Sequence, residues 1–161
     1  MTRPVRPIRA YLDTSVFGGV FDAELAVASR AIFERVDRAE IVVLVSEVTE
    51  RELAGAPENV RSLLPMIPQA ALYRCPLNEE VIALARSYID AGVVAPKWED
   101  DCLHVASATL HRADVLVSWN FKHLVRLDRV RGFNSVNLRL GYPHITISSP
   151  LEVQYAQHDD S

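Results

Sequence analysis

Hydrophobic positions along this chain fall into two patterns that take turns from one end to the other. Ile41–Val45 and Val115–Val117 are apolar throughout, and Ile8–Leu12 is apolar apart from Arg9. None of the three shows the every-second-residue alternation of a half-exposed strand, so each predicts a strand buried on both faces, as in a parallel sheet. Between these runs the apolar residues recur at helical spacing. Leu25, Ala28, Ile32, Phe33 and Val36 predict a helix within 22–38, Val81, Leu84, Ala85, Tyr88 and Ile89 one over 79–91, and Leu103, Ala106, Ala108 and Leu110 one over 99–111. Ser46 and Asn78 stand where a side-chain oxygen can accept a first-turn N–H, capping helices over 47–54 and 79–91; Gly55-Ala56-Pro57 and Gly92 stop them. A short helix over 59–66, a weaker strand over Ala70–Arg74, helical spacing over 121–140 with a break near Gly132, and a strand Ile145–Ile147 complete the reading. Phe17-Gly18-Gly19-Val20 is expected to make a tight turn or a close approach, and Pro96-Lys97-Trp98 a hinge. Strands alternate with helices throughout, which predicts an α/β fold with a mainly parallel sheet. One domain over 1–156 is expected, with 157–161 as a free tail.

Size and composition narrow the class. A chain of 161 residues can bury a core without disulfide or metal staples. No apolar run approaches the roughly 18 residues of a membrane span. The basic start, Met1 to Pro7, has no apolar stretch behind it and does not read as a signal peptide, so a cytoplasmic location is expected. Cys75 and Cys102 lack metal or redox spacing and read as buried, reduced thiols. The net charge of −4 argues against a general coat for nucleic acid. It conceals an asymmetry: Arg112 to Arg139 holds six Arg/Lys against two acids, a net +4 that leaves −8 for the remainder. A local basic patch of this kind suits a phosphate-bearing substrate, and equally a solvated helix face.

Three places put acids at the carboxyl edge of predicted strands or on helices beside it: Asp13-Thr14-Ser15, the helix bearing Glu47, Glu50 and Glu52, and Glu99-Asp100-Asp101, with Ser118 to Asn120 marking the edge after the Val115 strand. Carboxylates gathered at one edge repel unless a cation lies among them, and hard oxygen ligands suit Mg²⁺ or Mn²⁺. Most of these acids also have a plainer reading as solvated first-turn helix residues, and Asp13 one as a helix cap. Asp100 and His104, one helical turn apart, resemble a metal pair, although a histidine on a packing helix is more often held structurally. Periodicity alone does not choose among Glu47, Glu50 and Glu52.

Tyr11-Leu12-Asp13-Thr14-Ser15, Ser46 with Glu52-Leu53, Asp101-Cys102-Leu103-His104-Val105-Ala106 and Leu116-Val117-Ser118-Trp119-Asn120 resemble, in this order, the motifs of PIN-domain proteins. Many of these are the toxins of VapC-type toxin–antitoxin pairs. The resemblance spans about residues 8–124 and implies a Rossmann-like three-layer α/β/α sandwich, a Mg²⁺- or Mn²⁺-dependent endoribonuclease, frequent homodimers, and a small antitoxin protein as partner. Carried across by position, it assigns Asp13, Glu52 and Asp101 to the metal and gives Asn120 a catalytic place. Thr14 and Ser118 would hydrogen-bond the acids or metal-bound water, and the local charge count, not the resemblance, suggests that Lys122 and Arg126 would contact RNA phosphates. Asn120 stands where the family often has a fourth acid, and His123 where another is frequent. An amide carbonyl carries no charge, so a second ion would be held weakly. The rival is a PIN-like module that binds RNA or a protein without cutting. A haloacid-dehalogenase-type phosphotransfer domain would need a second acid two residues after Asp13, where Ser15 stands. A receiver domain would need an early acidic pair.

Overall fold

The computed structural model describes residues 6–153. The expected tail at 157–161 lies outside them. Strands β1 (Ile8–Leu12), β2 (Ile41–Ser46), β3 (Leu72–Cys75), β4 (Val115–Val117) and β5 (Ile147–Ser148) form one sheet in the order β3-β2-β1-β4-β5, every pairing parallel. Both faces are covered, which is why the strand sequences do not alternate. Ala10, Leu12, Val43, Val45, Val115 and Val117 point to one layer, formed by α1 (Thr14–Gly19), α2 (Ala26–Asp37), α3 (Glu47–Ala54), α4 (Glu58–Arg61), α5 (Leu63–Met66) and α9 (Pro150–Val153). Tyr11, Leu44 and Leu116 point to the other, formed by α6 (Glu79–Asp90), α7 (Glu99–Leu110) and α8 (Leu127–Leu140). The architecture is the expected three-layer α/β/α arrangement.

The sheet order decides where a site can form. From β1 the chain winds outward to β2 and β3, then returns to lay β4 on the other side of β1. Helices leave the adjacent strands β1 and β4 toward opposite faces, and a crevice opens at their carboxyl ends. The register Leu12↔Val117 brings the residues after both strands together, and the Asp13 N–H donates to Val117 O at 3.0 Å.

Several boundaries differ from the sequence reading. Residues 14–19 form a helix rather than a tight turn, because Asp13 caps it by accepting the Thr14 N–H at 2.8 Å. Gly19 serves a close approach instead: a Cβ there would lie 2.3 Å from Ser29 Oγ and 2.7 Å from Trp119 Nε1. Gly132 does not break its helix, and a Cβ would meet Val93 Cγ1 at 2.8 Å, so it too marks a close contact. Helix α8 begins at Leu127 rather than Phe121, since the Leu124 and Val125 N–H groups both turn back to Asn120 O. The 59–66 helix is two short ones meeting at Ser62, β3 and β5 are shifted toward the C-terminus, and α9 had no periodic signal of its own. Ser46 and Asn78 cap as expected, accepting from Val48 N at 3.2 Å and Val81 N at 3.0 Å. Cys75 and Cys102 are free and buried, and burial pushes both thiols up to about 12, which keeps them unreactive.

Candidate functional site

Asp13 sits at the head of the crevice, held by three hydrogen bonds. Its Oδ1 accepts from Thr14 N at 2.8 Å, and its Oδ2 accepts from Ser15 Oγ at 2.8 Å and Ser118 Oγ at 2.7 Å. The two serines are fixed in turn, because Ser15 Oγ accepts the Trp119 N–H and Ser118 Oγ accepts the Asn120 N–H, each at 2.9 Å. Asp13 is therefore both a helix cap and a buried carboxylate in the crevice, 6% exposed. The two readings of this residue are not exclusive.

Helix α3 begins at the end of β2 and carries Glu52 to the same place. Thr14 Oγ1 donates to Glu52 Oε1 at 3.3 Å, and His104 Nε2 lies 2.5 Å from the same oxygen and 3.6 Å from Asp13 Oδ1. Ligand atoms of Asp13, Glu52 and His104 all fall within 4.8 Å of one another, a grouping able to hold a metal ion. His104 is structural, as expected of a histidine on a packing helix, in that both ring nitrogens are engaged. It nevertheless sits inside the site. Its Nδ1 lies 2.7 Å from the Tyr11 hydroxyl, which also donates to Ser46 Oγ at 2.8 Å. A carboxylate can only accept, so Nε2 carries a proton toward Glu52, in the neutral Nε2–H tautomer or in the imidazolium. Burial opposes a charge on this ring, but Tyr11, Glu52 and Asp13 outweigh it and hold its pKa well above the usual histidine value. His104 thus orients Glu52 and offsets its charge, leaving the carboxylates as the oxygen donors. In the sequence this position is marked only by its spacing, one helical turn after Asp100 and three residues after Asp101 on a packing helix.

Asp101 opens α7 beside this group, outside the tight three-residue cluster. Its carboxyl is pushed from an ordinary 3.8 to about 6, first by burial and then by the charges of Asp13, Glu52 and Asp100, with His104 opposing. The remaining acids face elsewhere. Glu50 pairs with Arg74 at 2.6 Å, Asp100 with Arg51 at 2.7 Å, and Glu47 and Glu99 are exposed. Asp100 and His104 are not a pair. Asn120 spends its Oδ1 on the His123 N–H at 3.0 Å, which caps the turn leading to α8. Lys122 and Arg126 are exposed, and Arg126 is paired with Asp128 at 2.7 Å.

No protein-family model matches the chain, and no curated protein matches its sequence. Solved structures do. A chain of VapBC2 from Rickettsia felis, described as bound to a DNA fragment from its promoter, superposes with a TM-score of 0.55 at 12% identity, covering 88% of this chain and 98% of that one. A chain of FitAB bound to the IR36 DNA fragment gives 0.56 at 15% identity, over 93% and 99%. A chain of FitAcB from Neisseria gonorrhoeae gives 0.51 at 15%, over 88% and 98%. The fold is PIN-like. At these identities the likeness establishes the shared architecture and no more.

A metal ion suits this site on the chemistry of its donors. Asp101 is held up to about 6, first by burial and then by the charges of Asp13, Glu52 and Asp100, an environment whose carboxylate oxygens a hard cation would suit. Asp101→Asn is accordingly expected to stabilise the metal-free protein at pH 8. Ionising a carboxyl whose folded pKa is raised costs stability as pH climbs through that value, and removing it returns roughly 1–2 kcal/mol after solvent screening. The melting temperature should rise by about 2–5 °C. The same variant should lose the thermal shift that Mn²⁺ confers on the parent, and an unchanged Mn²⁺ shift would remove Asp101 from the ligand set.

Proposed function

We propose that this protein is a Mg²⁺- or Mn²⁺-dependent endoribonuclease of PIN type, acting as the toxin of a toxin–antitoxin pair. The observation that carries the reading is the grouping of Asp13 and Glu52 with His104, from three separate elements, with the buried Asp101 carboxyl close enough to feel the charges of both acids. Likeness to chains of VapBC2 and FitAB complexes supports the toxin role and a small antitoxin as partner. A homodimer, which the motif resemblance implies, is proposed with it.

In this reading Asp13, Glu52 and Asp101 would hold the ion, which would supply Lewis-acid chemistry for activating water and offsetting charge on the phosphate. The chain supplies the rest. Thr14 N–H, Ser15 and Ser118 fix both oxygens of Asp13, so that carboxylate is preorganised rather than recruited. Thr14 and His104 do the same for Glu52. Asn120 orders the turn that presents Lys122, and Lys122 and Arg126 meet flanking phosphates, the latter by exchanging Asp128 for the substrate. The site does not call for a covalent nucleophile.

Incubation of the purified protein with tRNA, rRNA and messenger fragments tests this. Cleavage is expected with Mn²⁺ or Mg²⁺ and none with a chelator; equal cleavage with chelator present would exclude a metal mechanism. The other reading, a module that binds RNA or protein without cutting, draws on Asn120, whose carbonyl oxygen is already taken by the His123 N–H. Binding without cleavage under every metal condition would favour it.

A further inference from the structure

Next to the acidic crevice lies an aromatic pair that the metal chemistry does not use. Trp98 immediately precedes α7, three residues before Asp101, and His123 follows Asn120 by three. Their rings stack with centroids 4.1 Å apart at 33°, joining the start of α7 to the turn before α8. Both side chains are half-buried, and His123 Nδ1 has no hydrogen-bond partner in the protein. The Lys97 ammonium rests 5.2 Å from the Trp98 ring centroid. Four cations surround the pair: after burial, Lys122, Arg129, Arg126 and Lys97 each push the His123 pKa down, which favours the neutral ring. Arg129 is committed to Val93 O, whereas among the described residues Lys97 and Lys122 are in no ion pair.

We propose that Trp98 and His123 form a stacking platform for one base of single-stranded RNA, next to the phosphate to be cut, with Lys97 and Lys122 engaging the phosphates on either side. This rests on the ribonuclease reading for its substrate. An exposed lysine held to an indole only by a cation–π contact is a weak occupant that a base can displace, and its ammonium is then free to reach a phosphate. Stacking needs an unstacked base face, so the platform selects single strands, loops or bulges over duplex. A purely structural latch between α7 and the 120–125 turn would have no use for an unpaired cation pair around it.

The test uses the full chain carrying Asp13→Asn, without added metal, so that RNA is bound but not cut. Anisotropy of a fluorescein-labelled single-stranded RNA of about ten nucleotides reports affinity, and Trp98 emission reports stacking, with Trp98→Phe giving the Trp119 background. Adding Trp98→Ala should weaken binding by roughly 5- to 100-fold, while Trp98→Phe stays within about threefold of the parent and loses the RNA-dependent quenching. His123→Ala should weaken binding in the same direction, and a blunt duplex should bind more weakly and ignore Trp98→Ala. Unchanged binding in Trp98→Ala, equal loss in Trp98→Phe and Trp98→Ala, absence of quenching in the parent, or no RNA binding at all would each overturn the platform. The two readings fail separately. Single-strand binding with quenching but no cleavage by the unmodified protein removes the nuclease alone, and metal-dependent cleavage with a KM unaffected by Trp98→Ala removes the platform alone.

Discussion

Asp13→Asn is expected to lower metal-dependent RNA cleavage by about 10³-fold or more while the protein melts within a few degrees of the unmodified chain. The substitution removes a charge and almost no volume. Its amide oxygen still accepts the Thr14 N–H and keeps the α1 cap. Its amide nitrogen faces Ser15 Oγ and Ser118 Oγ, hydroxyls that have a free lone pair to accept from it once they reorient. The carboxylate cluster also loses one repelling member, which compensates part of any strain. What is lost is the buried anion at the centre of the crevice, where an oxygen ligand of full charge is worth several kcal/mol of ion binding and transition-state stabilisation. Cleavage assayed with Mn²⁺ beside a thermal melt separates the two effects, and residual cleavage at the level of the unmodified protein would take Asp13 out of the chemistry.

Leu116→Ala should have the largest effect on stability, about 2–5 kcal/mol, because it empties space in the middle of a close-packed layer. Leu116 is fully buried on β4, paired with Tyr11 on one side and Ile147 on the other, and it belongs to the cluster that includes Leu44, Tyr88 and Phe133. Its neighbours are held by a sheet on one side and by the Tyr88–Asn137 hydrogen bond of 2.6 Å on the other, so little collapse can fill the gap. A fall of about 5–15 °C in melting temperature is expected for a domain of this size. The consequence reaches the site, since β4 ends one residue before Ser118 and its register with β1 sets the Ser118–Asp13 bond. Chemical unfolding measures the cost, and a change under about 1 kcal/mol would mean that this layer is far more plastic than its packing implies.

Motif resemblance picks Asp13, Glu52 and Asp101 over Glu47, Glu50, Glu99 and Asp100; in the folded chain Glu52 shares a cluster with Asp13 and His104, while Glu50 and Asp100 take arginine partners. Neither Ser15, in the run Asp13-Thr14-Ser15, nor His104, one turn after Asp100, has a spacing that distinguishes a hydroxyl or imidazole touching a carboxylate from one that packs. Gly19 and Gly132 signalled a special backbone or a tight contact without saying which.

What the sequence determined by itself was the α/β class, the existence and kind of most elements, the doubly buried character of β1, β2 and β4, and the caps at Ser46 and Asn78. These are local facts, because side-chain spacing records whether a residue is buried and a cap needs only its own first turn. Only the tertiary structure decided the strand order that opens the crevice between β1 and β4, the seating of His104 between Tyr11 and Glu52, and the meeting of Trp98 with His123. Each depends on contacts between residues far apart in the chain, and hydrophobic periodicity, which says that a residue is covered, carries no record of what covers it.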